Sequence, residues 1–110
     1  MKVILMGRSL MAFEEGNEKF KVGRLVATKG VADFASENNA FNKFVGESLS
    51  KHTQGDWGDV SKDDKAQNDE ALRAGKGNLD SKYVFDENIS IFIITEWDRS
   101  ATTILFPHEY

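Results

Sequence analysis

The stretch Ser81-Lys-Tyr-Val-Phe-Asp-Glu-Asn-Ile-Ser-Ile-Phe-Ile-Ile-Thr-Glu-Trp-Asp-Arg-Ser-Ala-Thr-Thr-Ile-Leu-Phe106 decides the fold. Three of its segments, Ser81 to Phe85, Ile89 to Thr95 and Ala101 to Phe106, are rich in β-branched and aromatic residues and read as strands. Asp86-Glu-Asn88 and Trp97-Asp-Arg-Ser100 separate them with short polar side chains that bond nearby backbone amides in turns. Such short links join antiparallel neighbours, so the segment is a β-meander. In its middle strand Ile89, Ile91 and Ile93 alternate with Ser90, Phe92 and Ile94. Both faces are therefore largely apolar, and the expectation is a central strand covered on both sides. Pro107 ends the last strand.

Upstream, Gly23-Arg-Leu-Val-Ala-Thr-Lys-Gly30 is a β-branched segment bounded by glycines and reads as a further strand. A helical stretch opens at Gly30. Phe41, Phe44, Val45 and Leu49 then recur at the spacing of one helix face, and Ser36, Asn38 and Asn39 are candidate caps. The main helix is expected from about Asn39 to Lys51. A second helix begins after Ser61, whose hydroxyl stands three residues before Asp64, and stops at Gly75. The apolar content of this helix is thin (Ala66, Ala71, Leu72), which predicts a narrow packed edge and a broad charged face. Met1 to Met6 reads as a strand and Leu10 to Phe13 as a second short element. The expected fold is α+β: an antiparallel sheet, made of the C-terminal three-stranded meander plus N-terminal strands, packed with two helices. Residues 1–110 read as a single domain, with 1–22 an N-terminal extension on a 23–110 core.

The chain has 110 residues, 40% of them hydrophobic and 11% aromatic, enough for one domain with a real core. Fourteen Lys and Arg stand against eighteen Asp and Glu, a net charge of −4 that argues against direct nucleic-acid binding by phosphate coating. A nucleic-acid reading would need a basic stripe assembled from scattered residues such as Arg8, Lys19, Lys21 and Arg24. The absence of cysteine excludes disulfides, thiolate zinc sites and cysteine nucleophiles. Lys2-Val-Ile-Leu-Met6 is broken by Gly7-Arg-Ser9, and Ile89 to Ile94 is far too short to cross a bilayer. The expectation is a soluble cytoplasmic protein with no membrane partner, cofactor or metal.

Two clusters could carry chemistry. In His52-Thr-Gln-Gly-Asp-Trp-Gly58, the structural reading has the glycines turning the loop, Trp57 plugging into the core and Asp56 accepting backbone amides. The chemical reading pairs His52 and Asp56 as base and orienter, or as two metal ligands, but no H-x-x-x-H or H-E-x-x-H pattern adds a third. In Thr95-Glu-Trp-Asp-Arg-Ser-Ala-Thr-Thr103, Asp98 caps a turn and Arg99 pairs with Glu96 or Asp98. Alternatively Arg99 is an anion hook beside those carboxylates. A small metal-dependent or acid–base enzyme would use His52, Asp56, Glu96, Asp98 and Arg99. Gly75-Lys-Gly77 lacks the spacing of a phosphate loop, and no G-x-S-x-G elbow is present.

Charge is uneven. Asp59, Asp63, Asp64, Asp69 and Glu70 face only two lysines within twelve residues, a local net of −3 that leaves −1 for the other 98 residues. Acids near a helix N-terminus favour the dipole and form a solvated face. They are also a docking surface for a basic partner. The candidate partner-binding residues are Asp56, Trp57, Asp59, Asp63, Asp64, Asp69, Glu70, Asp98 and Arg99.

Gly23-Arg-Leu-Val-Ala-Thr-x-Gly30, His52-x-x-Gly-Asp-Trp-Gly58 and Ile94-Thr-Glu-Trp-Asp-Arg-Ser-x-Thr-Thr-Ile-Leu-Phe-Pro-x-Glu-Tyr110 occur in that order. The chain thereby resembles an uncharacterised family of small proteins carried by bacterial phages, plasmids and other mobile elements. The family bears H-x-x-G-D-W-G and T-E-x-D-R-S-x-T-T motifs, usually with a small residue where this chain has Trp97. The resemblance covers about residues 23–110 and implies a setting rather than a reaction. In that setting the expected function is non-enzymatic binding to a host protein, with inhibitors of host defence (anti-CRISPR or anti-restriction proteins) a prominent class.

Overall fold

A computed structural model describes residues 3–5, 13, 16 and 18–110. In chain order these form β1 (Val3–Leu5), β2 (Arg24–Thr28), α1 (Lys29–Glu37), α2 (Asn39–Thr53), α3 (Lys62–Ala74), β3 (Leu79–Val84), β4 (Ser90–Thr95) and β5 (Ala101–Leu105). A 3-10 turn over Pro107–Glu109 closes the chain. The fold is α+β, as the patterning requires, with one five-stranded sheet in the order β1-β2-β5-β4-β3. The strand expected in Met1 to Met6 is β1. The element expected over Leu10 to Phe13 lies, apart from Phe13, outside the described residues.

Three expectations are corrected. The sheet is mixed, because β2 runs parallel to β5, with Arg24 opposite Ala101 and Ala27 opposite Ile104. The connection between them carries three helices and two strands, ample length to return the chain to the same end of the sheet. Gly23 makes the close approach there: with φ +65, a Cβ at this position would lie 2.4 Å from the carbonyl oxygens of Arg99 and Ser100. The described residues form three helices, not two: the cap expected near residues 36–39 is Asn38, which adopts extended geometry between α1 and α2 and accepts from Phe41 N at 3.0 Å, so the stretch opening near Gly30 is a helix of its own. Finally β5, not β4, is the central strand.

The core lies on one face of the sheet. Leu25, Ala27, Ile91, Ile93 and Ile104 pack there against Val31 and Ala35 of α1 and Phe41, Val45 and Leu49 of α2. Phe41 touches the rings of Phe34, Phe44, Phe85 and Phe106 at centroid distances of 4.5–5.9 Å. Each fully buried large side chain contributes about 1.5–3 kcal/mol. On the opposite face Phe92 and Ile94 are only half-buried. Apolar alternation on both sides of β4 therefore does not mean cover on both sides.

Two devices fix the periphery. The free edge of β3 is closed by Asn68 of α3, whose amide donates to Asp80 O (2.8 Å) and accepts from Asp80 N (3.0 Å). The loop before α3 continues the closure, with Lys82 N donating to Trp57 O and Asp59 N donating to Lys82 O. Covering a strand edge in this way blocks pairing with other chains. At the other end, the Glu109 carboxylate accepts from the Thr28 hydroxyl (2.7 Å) and Phe106 N (2.8 Å), while Thr28 caps α1 by accepting from Val31 N. Among the described residues, no helix is long and apolar enough to cross a membrane.

Candidate functional site

His52 lies in the last turn of α2, on the face that meets the sheet, and is fully buried. Its Nδ1 is 2.6 Å from Ser81 Oγ and its Nε2 is 2.8 Å from Thr95 Oγ1. Thr95 Oγ1 is 2.8 Å from Thr102 Oγ1, and Thr102 donates to Val22 O at 2.8 Å. A carbonyl can only accept, so the chain has one polarity. Thr102 uses its single proton on Val22 and must accept from Thr95, and Thr95 must then accept from His52 Nε2–H. Nδ1 is left as the acceptor for the Ser81 hydroxyl. Burial, aided by the positive charge of Arg99, pushes the imidazole pKa down to about 3. A neutral ring is what this hydrogen-bond chain requires.

With both ring nitrogens so engaged, His52 has no bond left for Asp56. Asp56 is exposed, its carboxylate accepts from Gly58 N at 3.2 Å, and its carbonyl accepts from the buried Tyr83 hydroxyl at 2.6 Å. Burial pushes the Tyr83 phenol up. Trp57 is 3% exposed, donates from Nε1 to Asp69 at 2.8 Å, stacks on Phe20 and meets His52 edge-on. Gly58 is required by conformation: its φ is +75, and a Cβ there would fall 2.1 Å from Lys82 O. The loop reads as its structural interpretation has it, with Trp57 facing inward and the flanking acids outward.

Arg99 takes a left-handed conformation (φ +62), the sole non-glycine among the described residues with positive φ. Among the described residues its guanidinium meets carbonyls and no carboxylate: Gly77 O at 2.5 Å, Ala71 O at 3.0 Å, and Glu96 O and Trp97 O at 3.3 Å. Ala71 is in the last turn of α3, where carbonyls lack helical partners. Arg99 thus ties the end of α3 to the β4–β5 turn, with Phe20 beneath the guanidinium. Asp98 accepts from Ser100 N at 3.0 Å, and the Ser100 hydroxyl and amide hold its carboxyl below the ordinary range. Glu96 is exposed. Among the described residues, no group of three or more His, Asp or Glu could hold a metal ion. Arg99 meets Glu96 only through the Glu96 carbonyl, and His52, Asp56 and Asp98 serve separate contacts.

Comparison with family models, curated proteins and solved structures finds no match.

The acids of α3 and of the loop before it are placed differently. α3 buries only Asn68, and Asp59, Asp63, Asp64, Asp69 and Glu70 are all exposed. Asp69 receives the Trp57 indole and Glu70 pairs with Arg73, while Ser61 caps the helix by accepting from Asp64 N at 3.0 Å. Sequence reasoning passed over Ser81, Thr95, Thr102, Asn68 and Glu109. A signal for two of them was present: Thr95 continues the Ile91, Ile93 alternation onto the buried face, and Thr102 is its cross-strand partner.

Proposed function

We propose that this chain is a non-enzymatic binding protein of phage or plasmid origin that acts on a host protein in the host cytoplasm, with defence complexes of the CRISPR and restriction type as the target class. The observation that carries this reading is α3: a helix anchored by one buried side chain, Asn68, with acids along its exposed surface. Surface acids at this density steer and orient a basic partner. The resemblance to mobile-element proteins supports the setting. The engagement of His52, Asp56, Asp98 and Arg99 in folding contacts supports a binding role over an acid–base or metal-dependent reaction.

The test is capture with the full chain against host lysate and against purified CRISPR and restriction complexes. A variant with Asp63, Asp64, Asp69 and Glu70 changed to Asn and Gln serves as comparator. The expected result is a discrete host protein retained by the native chain, weakened by salt and lost with the neutralised helix. Recovery of no protein partner in any arm overturns the proposal.

A further inference from the structure

The open face of the sheet carries an apolar floor with an acidic wall. Cross-strand register places Asp80 beside Ile94 and Thr103, and Lys82 beside Phe92 and Leu105, in two rows running from β3 to β5. A trough of ≈ 300 Å³ opens over these rows, with Phe92, Ile94 and Tyr110 as its apolar lining and Asp59, Asp64 and Asp80 at its sides. A neighbouring trough of ≈ 350 Å³ shares Ile94 and Tyr110 and adds Glu96 and Leu105. The Tyr110 ring meets Phe92 edge-on at 5.9 Å and is 80% exposed, so an aromatic face stands free at the rim.

Charge around the troughs is one-sided. Among the described lining residues, four carboxylates, Asp59, Asp64, Asp80 and Glu96, stand against the single base Lys82. The ion pairs among the described residues are Lys29–Asp33 and Glu70–Arg73, and neither involves any of these five. Burial together with the charges of Asp64 and Glu96 holds the Asp80 carboxyl above its ordinary range. Apart from Lys82, the described lining residues offer these acids no cation. An apolar floor suits an aliphatic stem, an acidic wall suits its charged head, and an exposed tyrosine adds a face for a cation.

We propose that this trough seats an arginine- or lysine-bearing segment of a protein partner, its stem on Phe92 and Ile94 and its charge between Asp64 and Asp80. This rests on the binding reading above and names the chemistry of the partner. It also extends the contact surface from α3 onto the sheet.

The test is an NMR titration of the isotope-labelled full chain with a short capped peptide containing arginine and leucine. The same peptide with glutamine for arginine is the comparator, and Asp64→Asn/Asp80→Asn is the protein variant, its fold checked by circular dichroism. The expected result is saturable shifts at Phe92, Ile94 and Tyr110, at least tenfold weaker for the glutamine peptide and for the double variant. Equal binding of both peptides means apolar docking alone and overturns the proposal. So do shifts confined to other surfaces, absence of any shift, or peptide-independent, concentration-dependent shifts that reveal a second copy on this face. If a host partner is captured through Asp63, Asp69 and Glu70 but Asp64→Asn/Asp80→Asn leaves capture unchanged, the binding reading stands and this inference falls.

Discussion

The two faces of the sheet hold opposite kinds of polar chemistry. Beneath α2, His52 joins Ser81, Thr95 and Thr102 in a closed chain in which every donor has an acceptor and no charge is carried. On the other face, Asp64, Asp80 and Glu96 line open troughs and make no ion pair among the described residues. A residue type famous for reactivity is inert on the first face because both its nitrogens are saturated and water is excluded. On the second face, ordinary surface acids are the groups with interactions still to make. Buried polar groups must be satisfied within the fold, whereas exposed ones remain available to a partner.

The difference can be broken by mutation, with effects that should fall steeply from the inner face to the outer. His52→Ala opens a cavity and leaves the Ser81 and Thr95 hydroxyls without their ring partner, so denaturant unfolding should show a loss of about 3–5 kcal/mol. Gly58→Ala places a methyl against Lys82 O at a positive φ and should cost about 3 kcal/mol, read as a lowered urea midpoint at unchanged slope. Arg99→Ala strips the carbonyls of Gly77 and Ala71 of their donor and should cost about 2 kcal/mol, with faster amide exchange at the end of α3. On the outer face, Asp63→Asn and Asp64→Asn should leave stability within about 0.5 kcal/mol of the native chain, since neither side chain makes a contact the fold requires.

Acidity provides a second way to sharpen the contrast. His52 has a folded-state pKa of about 3, below the ordinary histidine value, so between those limits the unfolded chain binds a proton that the native chain refuses. Its contribution to stability is therefore fully present above the unfolded pKa and is lost as pH falls toward 3. The expected slope from this group is about 1.4 kcal/mol per pH unit in that window. His52→Gln should flatten that part of the stability profile.

Most of the fold was legible because local signals agreed. The strand runs, the Ser61 cap, the Gly75 stop and the turns at Asp86 and Asp98 each state their structure within a few residues. The parallel pairing of β2 with β5 was not, because it depends on contacts between residues more than seventy positions apart. The site was legible only in part. Asp56 and Asp98 show their turn roles through the amide two residues on, and Trp57 shows its burial through its bulk. The fate of Arg99 was hidden: its carboxylate neighbours in sequence suggested ion pairs, yet the left-handed turn aims the guanidinium at the end of α3. Asp80 stood just before the strand expected from Ser81, and only the register with Ile94 sets it beside an open apolar floor.

Histidine-selective nitrogen NMR on the full chain, from about pH 8 to about pH 4, reads the inner face without perturbing it. His52 should remain neutral throughout, with its proton on Nε2 and Nδ1 unprotonated, as the donor chain ending at Val22 dictates. A proton on Nδ1 would contradict the polarity of that chain, and titration of the ring near pH 6.5 would show His52 open to acid–base exchange and return it to the list of reactive groups.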